Sequence, residues 1–339
     1  MPGLALVAVV GLVACHTITN PVACAGCHAQ EEGEKPLMAV IHTLKRHPVP
    51  AYFVLAYALS WACWVPLAIA RTWASFPFIV FAVVGNGMPS LLGIALTALV
   101  SGKAGLAELF GRLGRARAPL IWYTVVLLLI PALQLAAAGL PALLGLATIT
   151  FAFSGFAVLG GVSAALLEEL GWRGFALPRM QARRLAFTAS LLLGVLWTSW
   201  HLPLQIAMGL PLTVAGLIPF FFSVLMLTAW AVLFTWIYNN TNSSLFLMVL
   251  LHAVAYTTGA AIQPSNWIGS ALLLILAWAT VTLVVARAGA ARLSRNRPPG
   301  SGQQSKPAPP APATTRRKPP APHIVTLDPN TQRLAAKHR

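Results

Sequence analysis

The chemistry-bearing residues of this chain are few and unusually placed. Between residues 50 and 286 the acids are Glu108, Glu168 and Glu169, the histidines are His201 and His252, and aspartate is absent. Glu168 and Glu169 stand in LLEELGWRGFALP, residues 166–178, directly after some twenty mostly apolar residues. An ionised group near the centre of a bilayer costs on the order of 3 kcal/mol, and more without a partner. A greasy chain that keeps two Glu and two His on three separate apolar stretches therefore implies that they meet. One carboxylate and two imidazoles in a partly dry cavity suit general-base activation of water. The same three groups would equally serve a divalent metal such as zinc, which activates a bound water.

Helical spacing refines the set. Glu169 and Arg173 are four apart and share a face, where they can pair across one turn. Glu168 is rotated by about 100° and points elsewhere. Trp197 and His201 are also four apart, as are His252 and Tyr256. The residues expected to carry the chemistry are Glu168, His201 and His252, with Glu169, Arg173, Trp197 and Tyr256 in support. Read alone, Glu169–Arg173 is a structural ion pair and His201 an interfacial histidine bonded to a carbonyl. The joint occurrence argues for a site.

The elements that must position these residues are transmembrane helices. The chain has 339 residues, 58% hydrophobic and 9% charged, against roughly 25% charged in a soluble domain. Windows of about twenty apolar residues suffice to span a bilayer, and eight are present: 50–70, 77–100, 119–145, 148–168, 187–207, 213–237, 244–262 and 267–286. The expected fold is all-α, a polytopic bundle of about eight transmembrane helices. Kinks are expected at GNGMP (85–89), Pro131 and Pro141. Lys45, Arg46, Lys103, Arg112, Arg115, Arg117, Arg173, Arg179, Arg183 and Arg184 fall on one side, with Arg71 on the other. That asymmetry puts both ends of the bundle in the cytoplasm of a multi-pass cell-membrane protein.

The chain divides into an N-terminal extension, 1–44, a membrane domain, 45–286, and a tail, 287–339. The tail is Pro-rich and basic, contributes much of the net charge of +16, and is expected to be disordered. Anionic lipid is a partner it could touch; no nucleic acid is expected. CAGCH (Cys24, Cys27, His28) has the C-x-x-C-H pattern of c-type haem attachment, but this short stretch offers no folded platform, and translation from Met38 would omit it. LALVAVVGLVAC lacks a basic n-region and is a poor signal peptide. Cys63 reads as a small core residue.

Several protease classes fail on their motifs. GVSA (161–164) lacks the last glycine of a Gly-x-Ser-Gly turn, there is no aspartate pair, and H-E-x-x-H is missing. A proton-coupled carrier would show repeated halves, and no convincing repeat is seen.

The order of motifs resembles the CPBP family, the CAAX protease and bacteriocin-processing (Abi) proteins that include the type II CAAX prenyl endopeptidases. EELGWR matches its EExxxR motif, WTSWHLPL supplies Trp197 and His201, and NNTNSSLFLMVLLHAV supplies His252, over about residues 45–286. The resemblance implies an eight-helix intramembrane endopeptidase, commonly termed a metalloprotease, acting on a membrane peptide or lipidated protein. Glu168 would activate water, His201 would hold it, and His252 would stabilise the oxyanion or ligate a metal. Glu169 and Arg173 would orient Glu168. Tyr256 departs from the Asn or Asp that the family often has there. The alternative within the family is a catalytically silent scaffold or immunity protein.

Overall fold

The computed structural model describes residues 31–72 and 78–294. The CAGCH segment and nearly all of the tail lie outside the described residues. In chain order the elements are α1 (Glu31–Arg46), α2 (Pro48–Ala70), α3 (Phe78–Gly111), α4 (Leu120–Leu143), β1 (Ile149–Phe151), α5 (Gly155–Glu169), a π-helical segment (Leu170–Ala176), α6 (Leu177–Gln181), α7 (Ala186–Trp200), α8 (Leu202–Ala207), α9 (Val214–Asn240), α10 (Leu245–Ala261), β2 (Ile262–Pro264) and α11 (Trp267–Ala288). It is a polytopic helical membrane bundle.

Each of the eight apolar windows contains a helix, but their lengths divide them. Five are long and apolar enough to cross a membrane: α2, α3, α4, α9 and α11. The other three, α5, α7 and α10, have 15, 15 and 17 residues; α7 and α10, about 23–26 Å at 1.5 Å per residue, fall short of the roughly 30 Å hydrocarbon core, whereas α5 runs on through the π-helical segment and α6 to Gln181. These three carry the motifs.

Boundaries shift where backbone chemistry overrides hydropathy. The window at 148–168 begins as a strand, because residues 149–151 pair antiparallel with 262–264, Thr150 opposite Gln263. The Gln134 side chain donates to Ile262 O (3.0 Å) and Asn266 to Leu146 O (2.8 Å), so the ribbon joins the α4–α5 and α10–α11 connections and is tied to α4. The break in α3 falls at Gly102 (φ 60°), not at GNGMP; a positive φ is open to glycine without a Cβ penalty. α4 runs on through Pro131 and Pro141.

In a bilayer, helices associate through close packing and small residues rather than by escaping water. α5 lies along α10, α7 along α9, and α2 along α3, which also backs the π-helical segment. There Gly93 and Gly171 meet: a Cβ on Gly93 would sit 2.8 Å from the Gly171 Cα, and one on Gly171 would collide with the Pro89 carbonyl and the Tyr52 hydroxyl.

Candidate active site

Glu168 and Glu169 end α5, where the backbone passes into the π-helical segment. Such one-turn expansions recur at functional sites because they redirect side chains within a continuous helix. Both carboxylates are buried, Glu168 2% exposed and Glu169 0%, and they face different neighbours.

Glu168 is held by tryptophans. The Trp197 indole donates to Oε2 at 2.7 Å and the Trp172 indole to the same oxygen at 3.3 Å. Among the described residues no donor is recorded on Oε1. That oxygen lies 3.9 Å from His201 Nε2. His201 Nδ1 stands 2.8 Å from Trp197 O; a carbonyl only accepts, so Nδ1 carries the proton and Nε2 of the neutral ring presents a lone pair. Two acceptors thus face each other across a gap, and at 20% side-chain exposure His201 is the most open member of the group. It sits at the joint between α7 and α8, where Pro203 restarts the helix. The joint is pinned from α2: Trp61 donates to Trp200 O (2.9 Å) and Tyr57 to Leu196 O (2.6 Å).

Glu169 turns the other way. Its Oε1 accepts from Arg173 Nη1 at 2.7 Å and from His252 Nδ1 at 2.8 Å. Arg173 is fully buried, its guanidinium between the Trp197 and Phe234 rings at 4.5 and 4.6 Å from their centroids. His252 packs edge-on against the same two rings, at 5.5 and 6.1 Å.

The structure therefore brings together all three expected motifs, with one regrouping. Glu168 pairs with His201, whereas His252 joins Glu169 and Arg173. Trp197 touches both halves. The trio Glu168, His201 and His252, expected as a metal set, is not arranged as one: among the described residues no group of three His, Cys, Asp or Glu is placed to hold a metal ion, and zinc sites draw at least three protein ligands. Tyr256 lies apart. It is 48% exposed, and its ring packs by Gly160, eight residues and so about 12 Å along α5 from Glu168.

Trp172, Phe234 and Tyr52 were not singled out from the sequence. Trp172 stands four after Glu168, the spacing that flagged Glu169 and Arg173, and could have been found by it. Tyr52 and Phe234 carried no local signal; only the packing of α2 and α9 brings them in.

Fold and site together define a multi-pass helical membrane protein with a buried carboxylate–imidazole centre. Residues 150–258 match the family model described as type II CAAX prenyl endopeptidase Rce1-like. The CAAX prenyl protease 2 of Methanococcus maripaludis is 35% identical over 96 residues, 26% of this chain, and the match spans 34% of that relative's length. The segment matched by the family model carries Glu168, Trp197, His201 and His252, and it is over this segment that the chain is similar to the type II CAAX prenyl endopeptidases.

Proposed function

We propose that this protein is an intramembrane endopeptidase that hydrolyses a peptide bond in a membrane-associated substrate. The observation that carries this reading is the pair of opposed acceptors, Glu168 Oε1 and His201 Nε2, 3.9 Å apart. One water fits within hydrogen-bond reach of both, at about 2.8 Å from each, giving one hydrogen to each and keeping a lone pair for attack. Glu168 takes the proton as water adds to the scissile carbonyl, then returns it to the leaving amine. His252, fixed by the contact of its Nδ1 with the Glu169 carboxylate, is the group that stabilises the developing oxyanion, and Arg173 balances Glu169.

The relative's name, CAAX prenyl protease 2, supports a lipidated C-terminus as substrate. With both ends of the bundle in the cytoplasm, as the Lys/Arg bias indicates, the π-helical segment and α6 lead from Glu168 toward that side. The test is cleavage of a fluorescence-quenched farnesylated CAAX peptide by the full chain in nanodiscs. Glu168→Ala and His201→Ala should each abolish cleavage with the fold retained; wild-type rates from either would overturn the assignment.

Tyr256 supports a second reading, a catalytically silent scaffold or immunity protein, because its half-exposed ring offers no donor at the carboxylates. On that reading Glu168→Gln would leave the cellular phenotype intact.

A further inference from the structure

We propose that Trp172 is a positioning residue of the site, its indole acting with that of Trp197 to hold one oxygen of Glu168 so that the other faces His201. The contact stands on geometry alone; its effect on rate rests on the endopeptidase reading above. The terminal torsion of a glutamate is soft and roughly two-fold, so an unrestrained carboxylate exchanges its oxygens. An indole nitrogen can only donate. Two of them meet at Oε2, 2.7 and 3.3 Å away, so both acceptor directions of that oxygen are occupied and Oε1 is left to act on water.

Neither indole is free to leave. The Trp172 ring is fully buried. Tyr52 meets it edge-on at 5.4 Å, Phe53 stacks on it at 5.8 Å and Trp200 meets it edge-on at 5.5 Å. Tyr52 and Phe53 belong to α2, which lies outside the segment matched by the family model. The first long helix thus completes the site from outside, by seating a donor rather than by touching the reacting atoms.

The test replaces Trp172 in the full chain with β-(3-benzothienyl)alanine, which keeps the ring shape and exchanges N–H for sulfur. On the farnesylated peptide kcat should fall about tenfold, the worth of one hydrogen bond to a charge. KM should stay within about twofold and thermal unfolding should be unchanged, a split that a packing defect would not give. Independently of activity, Glu168→Gln should shift the Trp172 indole N–H resonance of nitrogen-labelled protein together with that of Trp197. An unmoved Trp172 resonance overturns the clamp. So does a wild-type kcat in the benzothienyl variant when Glu168→Ala is inactive. If the unsubstituted chain leaves the peptide intact, the endopeptidase reading falls and the indole resonances still decide the clamp.

Discussion

At Glu169 and Arg173 a carboxylate and a guanidinium are both wholly out of solvent and 2.7 Å apart. Such a pair adds little relative to an apolar replacement of both, but removal of one member strands a charge at a cost on the order of 3–5 kcal/mol. Arg173→Ala should therefore lower the unfolding temperature in detergent steeply. Arg173→Lys should recover only part of the loss, because an ammonium cannot lie flat between Trp197 and Phe234. Equal stability of Arg173→Ala and the parent would show that the pair is not what holds the two rings. Glu168, by contrast, accepts from two neutral indoles, and among the described residues no Lys or Arg bonds it.

At the scale of elements, the π-helical segment works only because α3 lets it come close. Gly171→Ala puts a methyl into the Pro89 carbonyl and the Tyr52 hydroxyl, neither of which is the loose end of a flexible chain. Overpacking of this kind typically costs 1–3 kcal/mol or more; both thermal stability and cleavage should fall, and a neutral outcome in both assays would contradict the packing described. The C-terminal end of α3 is fastened differently. Glu108 accepts from Arg112 (3.1 Å) and Arg115 (2.8 Å), and Arg112 also reaches Tyr238 and Gly174 O, inside the π-helical segment. Partial burial pushes the Glu108 carboxyl up, and the two guanidiniums outweigh it, leaving it below the ordinary carboxylate range. A carboxylate lowered in the folded state stabilises it above the unfolded value, about 4.3, and that contribution disappears as pH falls through the lower folded value. Amide protection at residues 111–118, corrected for the intrinsic pH dependence of exchange, should fall as the pH is taken below about 4, and Glu108→Gln should show the lower protection already at neutral pH. Glu108 is half exposed, so the effect is local loosening and not unfolding.

For the whole molecule, the testable statement is its orientation. Single cysteines in the loops at 182–185 and 239–244 should react with an impermeant thiol reagent only after the cytoplasmic face is opened, and cysteines at 144–147 and 208–213 should react from outside. The opposite pattern would reverse the topology. Much of this architecture was legible: hydropathy alone located the eight helical windows, since a span must satisfy its backbone internally and present apolar side chains. Hydropathy could not show that α7 and α10 are too short to cross alone. Nor could it show that residues 149–151 leave the helix for a strand, because their partners, residues 262–264, come more than a hundred residues later.

The sequence by itself determined which residues must be accounted for. Ionisable groups are so costly in lipid that Glu168, Glu169, Arg173, His201 and His252 stand out by their mere presence, and i,i+4 spacing pairs Glu169 with Arg173. Only the tertiary structure decided which imidazole serves which carboxylate. His201 faces Glu168 and His252 bonds Glu169 because α7 and α10 meet the end of α5 at two carboxylates rotated by about 100° from each other, and that meeting depends on contacts between residues far apart in the chain. The same holds for Trp172 and Tyr256, each four residues from a site residue. One is turned into the core by aromatic packing from α2, the other is turned out along α5, and a spacing of four is identical in both.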